Sequence, residues 1–107
     1  MENLLEETKE KLEESYKSPK DVLWVGTSDG SEATTWEEFE KMADFEYNNG
    51  YGIEEIKMDL VVVGNGWWLE RYEYDGSEWW EYKEPPKLQE NHKELARIKV
   101  TLEEQPL

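Results

Sequence analysis

The chain has no cysteine. That excludes a disulfide framework and a thiolate metal site, and it suits a reducing cytoplasm. It has one histidine, His92, in a polar C-terminal stretch. No serine stands in a nucleophile-elbow sequence. Nucleophilic and imidazole-based catalysis therefore lack their parts, and the chain reads as no enzyme. No H-x-x-x-H pair is present, and the acids do not follow the EF-hand order, so neither a metal nor a cofactor is expected. "GYG" at 50–52 and "GNG" at 64–66 are turns, since a phosphate cradle should open a helix.

Basic residues are scarce as well. Twelve Lys and Arg stand against 27 Asp and Glu, for a net charge of −15. A phosphate binder needs cations, so direct contact with nucleic acid or an anionic membrane is not expected. The potential instead suits a basic partner surface. Long apolar runs are missing too. "LVVV" at 60–63 is far short of the ~20 residues a membrane helix needs. The N-terminus "MENLLEETKEKLEE" has no apolar signal-peptide region.

The chain is rich in tryptophan and tyrosine, six of each in 107 residues. Each ring supplies about 150–250 Å² of burial from one position, which helps a single short domain build a core.

Helical spacing of Leu4, Leu5, Leu12 and Tyr16 predicts an N-terminal helix over 2–17, ended by Ser18-Pro19 and packing only lightly. "DVLWVGTSDGSEATT" predicts a hairpin over 22–34 with a type I′ turn at Asp29-Gly30. Thr35 and Glu38 have capping-box spacing. The helix they open, 36–47, should bury Trp36, Phe39, Met42, Ala43 and Tyr47, with "NNGYG" ending it. "IEEIKM" suggests a short helical turn. Residues 58–83 hold three β-prone runs separated by Asn65-Gly66 and Asp75-Gly76, a three-stranded meander that Pro85-Pro86 ends. The expectation is one α+β domain: an antiparallel sheet of four to five strands, with helix 36–47 across it and helix 2–17 beside it. The α+β core runs over 22–84, and residues 87–107 form a C-terminal segment that reads equally as a helix, a late strand or a loosely docked tail. Asp-Gly-Ser-Glu occurs at 29–32 and 75–78, read as the same turn chemistry used twice.

A two-residue turn at Asp75-Gly76 places Tyr74 opposite Ser77, Glu73 opposite Glu78, Tyr72 opposite Trp79 and Arg71 opposite Trp80. Alternation then makes two aromatic faces. Trp67, Leu69, Arg71, Trp80 and Tyr82 share one; Trp68, Glu70, Tyr72, Tyr74, Trp79 and Glu81 share the other. One face should meet helix 36–47. The other meets helix 2–17 or stays partly open as a binding surface, with Tyr72, Tyr74 and Trp79 the candidates for contact.

The acids extend over several elements. Residues 32–59 hold nine acids and two lysines, and residues 70–84 six acids with Arg71 and Lys83. Glu73 opposite Glu78 is a like-charge pair that opposes sheet formation, which suggests selection for negative potential. Pairs among Glu70, Glu73, Glu78 and Glu81 are weak evidence for glycosidase chemistry in so acidic a chain. Glu37, Glu40, Asp44, Glu70, Glu73 and Glu78 are the acids expected at a partner interface, as phosphate mimics.

"WEEFEKMADFEYNNGYG" followed by "DLVVVGNGWWLERYEYDGSEWWEYK" resembles small acidic proteins encoded by phages and prophages of Gram-positive bacteria, over about residues 22–83. The resemblance carries no functional residues over. It implies a bacterial host cytoplasm and a counter-defence role such as that of anti-CRISPR proteins that mimic DNA. The expected function is an inhibitor of a basic nucleic-acid-binding enzyme, a Cas9-like CRISPR effector foremost. A carbohydrate-binding module with an aromatic strip and a structural phage protein are the alternatives.

Overall fold

The computed structural model describes residues 1–50 and 52–100. In chain order the elements are β1 (Glu2–Asn3), α1 (Leu4–Glu14), a 3-10 turn (Pro19–Asp21), β2 (Val22–Thr27), β3 (Ala33–Thr34), α2 (Trp36–Ala43), β4 (Glu46–Tyr47), β5 (Leu60–Gly64), β6 (Trp67–Tyr74) and β7 (Ser77–Lys83). Five strands form an antiparallel sheet in the order β3-β2-β5-β6-β7, and β1 pairs with β4. The α+β class and the N-terminal helix are as expected.

The meander follows its turn residues. Asp75 (φ 52°) and Gly76 (φ 86°) both adopt the left-handed backbone that a two-residue I′ turn requires. The expected register results: Tyr74 pairs with Ser77, Glu73 with Glu78, Tyr72 with Trp79 and Arg71 with Trp80. Gly64 pairs with Trp67 across Asn65-Gly66. A Cβ at Gly64 would collide with the Trp67 indole, so the ring lies over the glycine.

The Asp-Gly-Ser-Glu at 29–32 behaves differently. Gly26 pairs with Ala33, so residues 28–32 form a longer loop in place of the expected I′ turn. The Asp29 carboxylate organises it by accepting from the Ser31 amide (2.9 Å), the Ser31 hydroxyl (2.8 Å) and the Thr27 hydroxyl (2.8 Å). Those bonds hold its pKa down at about 2. One tetrapeptide thus makes two turns, because a Thr hydroxyl stands two residues before Asp29 and a Glu side chain two residues before Asp75.

Both helices are shorter than the sequence predicts. Asn3 caps α1 by accepting from the Glu6 amide (3.0 Å), and its own amide donates to Asp44 (3.0 Å). Residues 2–3 are therefore strand and cap. At the far end Tyr16 (φ 59°) breaks α1 before Ser18-Pro19 is reached. Thr35 caps α2 as expected, accepting from Glu38 at 3.2 Å. That helix stops at Ala43, because β1 captures Glu46 and Tyr47 as a strand. Tyr47 is buried there, while Met42 is 68% exposed. "IEEIKM" forms no helical turn and plants Ile56 in the core.

Both helices cover the same sheet face. Leu4, Leu5, Leu12, Trp36, Phe39 and Ala43 join Val25, Val62, Leu69 and Trp80 in one buried cluster. α1 is therefore integral to the core and does not pack lightly. Within that cluster Trp80 Nε1 donates to the Thr8 hydroxyl (2.9 Å), which donates to the Leu4 carbonyl (2.7 Å). Residues 84–100 carry no helix or strand and are exposed. Residues 101–107 of the expected C-terminal segment, and Tyr51 of "NNGYG", lie outside the described residues. Among the described residues no helix is long and apolar enough to cross a membrane.

Candidate functional site

With both helices on one side, the other face of the sheet carries no covering element among the described residues. Alternation places Trp68, Glu70, Tyr72 and Tyr74 of β6 there, with Ser77, Trp79, Glu81 and Lys83 of β7. Val63 of β5 continues the surface, and Val61 lies on the same side but is buried. Trp24 reaches it through an irregularity at Leu23, which shifts register between Val22 and Trp24. Cross-strand rows read Trp24–Val63–Trp68–Lys83, then Val61–Glu70–Glu81, then Tyr72–Trp79.

Two carboxylates stand side by side at the centre, Glu70 opposite Glu81. Each is held by a tryptophan two residues away on its own strand. Trp68 Nε1 donates to Glu70 Oε1 at 2.7 Å, and Trp79 Nε1 donates to Glu81 Oε2 at 3.0 Å. The strands run in opposite directions, so the two tryptophans flank the two acids with approximate two-fold symmetry. The Lys83 ammonium joins them, 3.4 Å from Glu81 Oε1 and 5.1 Å from the Tyr72 ring centre. The indole bond from Trp79, and then Lys83, lower the Glu81 pKa. Bonding to Glu81 foremost raises that of Lys83. This surface already holds an ammonium with carboxylate and aromatic groups, the chemistry by which a foreign Lys or Arg is recognised.

The residues expected at an interface divide three ways. Glu70, Tyr72 (40% exposed), Tyr74 (76% exposed) and Trp79 lie on the open face. Glu37, Glu40 and Asp44 lie on or at the end of α2, in the layer on the opposite side. There Glu40 reaches Lys9 (3.9 Å) and Asp44 accepts from Asn3. The two groups cannot form one contact patch. Glu73 and Glu78 are structural. Glu73 accepts from the Gly76 amide at the turn (3.0 Å).

Glu78 is 2% exposed and so is not available to a partner. Its carboxylate binds Arg71 Nη2 (3.1 Å) and accepts from the amides of Glu55 (3.0 Å) and Ile56 (3.3 Å). Arg71 also donates to the Tyr47 hydroxyl (2.9 Å), sits 3.4 Å from Glu7 Oε1, and lies 4.8 Å from the Trp80 ring centre. Burial, and then the bond to Glu7, push the Tyr47 pKa up. The expected repulsion between Glu73 and Glu78 is thus overturned: Arg71 neutralises one acid and the other turns away to cap its hairpin.

Sequence reasoning left Trp24, Trp68, Glu81 and Lys83 out of the interface. Alternation already put Trp68 and Glu81 on the right face, but Trp24 could not be assigned because the irregularity at Leu23 breaks the period. Among the described residues no group of three or more acids and histidines converges to hold a metal ion. Comparison of the chain with known protein families, with curated proteins and with solved structures gives no match.

Proposed function

We propose that this protein is a non-enzymatic inhibitory binding protein of phage origin that presents carboxylates to a basic, nucleic-acid-binding enzyme in the bacterial cytoplasm. The observation that carries this reading is the open sheet face, where Glu70 and Glu81 stand between Trp68, Trp79 and Tyr72 with no helix over them. The carboxylates take the place of phosphates, and the rings supply desolvated anchors for arginine and lysine side chains. The α2 acids, on the other side, add to the long-range field that speeds encounter. A Cas9-like effector is the target class that the resemblance to phage proteins suggests. Binding to such an effector, measured at low and high salt, tests the proposal. Affinity should fall with salt and fall at least tenfold in Tyr72→Ala/Trp79→Ala. Unchanged affinity in both comparisons removes it.

The pinned indoles favour one other reading. Hydrogen bonds from Trp68 and Trp79 to neighbouring acids fix their rings, as a platform for stacking sugars requires. A carbohydrate-binding module would then be expected, and silence on a glycan array excludes it.

A further inference from the structure

β7 is an edge strand of the sheet. The two-residue turn directs the backbone of Ser77, Trp79, Glu81 and Lys83 toward β6, so Glu78, Trp80 and Tyr82 point their amides outward. The Glu78 amide is taken by the Asn49 carbonyl at 2.9 Å. The amides of Trp80 and Tyr82 have no partner among the described residues. Such an edge is a template for another strand.

Beside this edge runs a groove of about 230 Å³, lined by Glu7, Glu10, Lys11 and Glu14 of α1 with Trp79 and Trp80. A strand added there would alternate its side chains between two surroundings. One side would meet the carboxylates of α1. The other would extend the aromatic face beyond Trp79.

The chain itself holds a segment with that pattern. In "LARIKV", residues 95–100, Ala96, Ile98 and Val100 alternate with Arg97 and Lys99. Residues 83–100 hold five bases and three acids, whereas residues 1–82 hold seven bases and 22 acids. The segment is thus the basic end of an acidic chain. It lies away from the core, with Ile98 90% and Val100 61% exposed. The chain's radius of gyration, 17.4 Å, exceeds the ~13 Å expected for a compact domain of this length.

We propose that residues 95–100 of one copy add as a sixth strand to β7 of a second copy, with Lys99 toward Glu10 and Glu14 and with Ile98 and Val100 beside Trp79. Reciprocal exchange closes a two-fold dimer. Backbone pairing and apolar contact hold it together, and the net charge of −15 on each chain opposes it. Dimerisation therefore strengthens as salt screens that repulsion, opposite to the salt response of partner binding proposed above, so the two ideas fail separately.

The test is light-scattering mass of the full chain from micromolar to millimolar concentration, with amide exchange at Trp80 and Tyr82. The expected mass rises from 12.8 kDa toward twice that value, with slowed exchange at both amides. Ile98→Asp, and separately a chain ending at Pro86, should shift the dimer midpoint at least tenfold upward and restore fast exchange while leaving the circular dichroism of the core unchanged. A monomer at every concentration overturns the proposal. So does a dimer that survives both changes, or slow exchange in a monomer, which would mean the segment docks on its own chain.

Discussion

Replacing Glu78 with alanine should destabilise the fold more than any other acid-to-alanine change among the described residues. The side chain is 2% exposed and makes one ion pair and two amide hydrogen bonds. Breaking a buried ion pair by removing one partner costs about 3–5 kcal/mol. Two orphaned amides would each add about 1–3 kcal/mol if they stayed dry. Two effects reduce the total: Glu7 remains 3.4 Å from Arg71 as a second counter-charge, and water can enter the space left behind. The expected loss is therefore about 3–4 kcal/mol, a large part of the ~5–15 kcal/mol available to a domain. Glu78→Gln, which keeps an acceptor and loses the charge, should cost about 1.5–3 kcal/mol. Urea denaturation followed by tryptophan fluorescence reads both, with Trp80 adjacent to the guanidinium. With a slope of about 1.5 kcal/mol/M, Glu78→Ala lowers the midpoint by roughly 2 M. Glu73→Ala, the cross-strand neighbour at the surface, loses only its exposed bond to the Gly76 amide and should cost no more than about 1 kcal/mol. A loss below ~1 kcal/mol for Glu78→Ala would mean that its carboxylate is hydrated and that Arg71 is not buried against it.

Leu12→Ala should cost about 2–5 kcal/mol in the same assay, since Leu12 is fully buried between α1 and the sheet; a loss near zero would return α1 to a lightly packed accessory. Gly64→Ala should cost about 1–3 kcal/mol and shift the tryptophan emission, because its new methyl displaces the Trp67 indole; an unchanged spectrum and midpoint would contradict that packing. Burial, only partly offset by Tyr47 and Arg71, raises the Glu7 pKa above its ordinary 4.5. The folded state then binds more protons than the unfolded state just above pH 4.5, so this group's contribution to stability is full at low pH and declines as pH rises through that window. Stability of wild type relative to Glu7→Gln should follow that decline across urea melts at successive pH values; a difference that grows with pH would refute it.

Local signals in the sequence reached far along the meander and less far elsewhere. Asp75-Gly76 and alternation determine the β6–β7 register, so the composition of both faces could be read residue by residue. Which face the helices cover could not. Both faces are aromatic, so hydrophobicity does not distinguish them, and the deciding contacts of Leu12, Thr8 and Phe39 are distant in sequence. The same limit hid the buried cluster. Arg71 and Glu78 look like surface charges because burial of an ion pair depends on partners such as Tyr47, contributed by a strand that itself exists only because residues 2–3 pair with it. The six-residue run "YEYDGS" shows the other side: its exposed tyrosines and its turn were both legible, since each depends on neighbours within the hairpin.

Binding of a purified Cas9-like effector to three forms of the protein tests most directly whether the open sheet face is the site. Glu70→Lys/Glu81→Lys reverses charge on the open face, and Glu37→Lys/Glu40→Lys reverses it on α2. If the partner seats on the open face, the first pair weakens affinity at least tenfold, chiefly through faster dissociation, while the second mainly slows association and lessens its salt dependence. If the open-face pair binds as tightly as wild type while the α2 pair abolishes binding, the open sheet face is not the site.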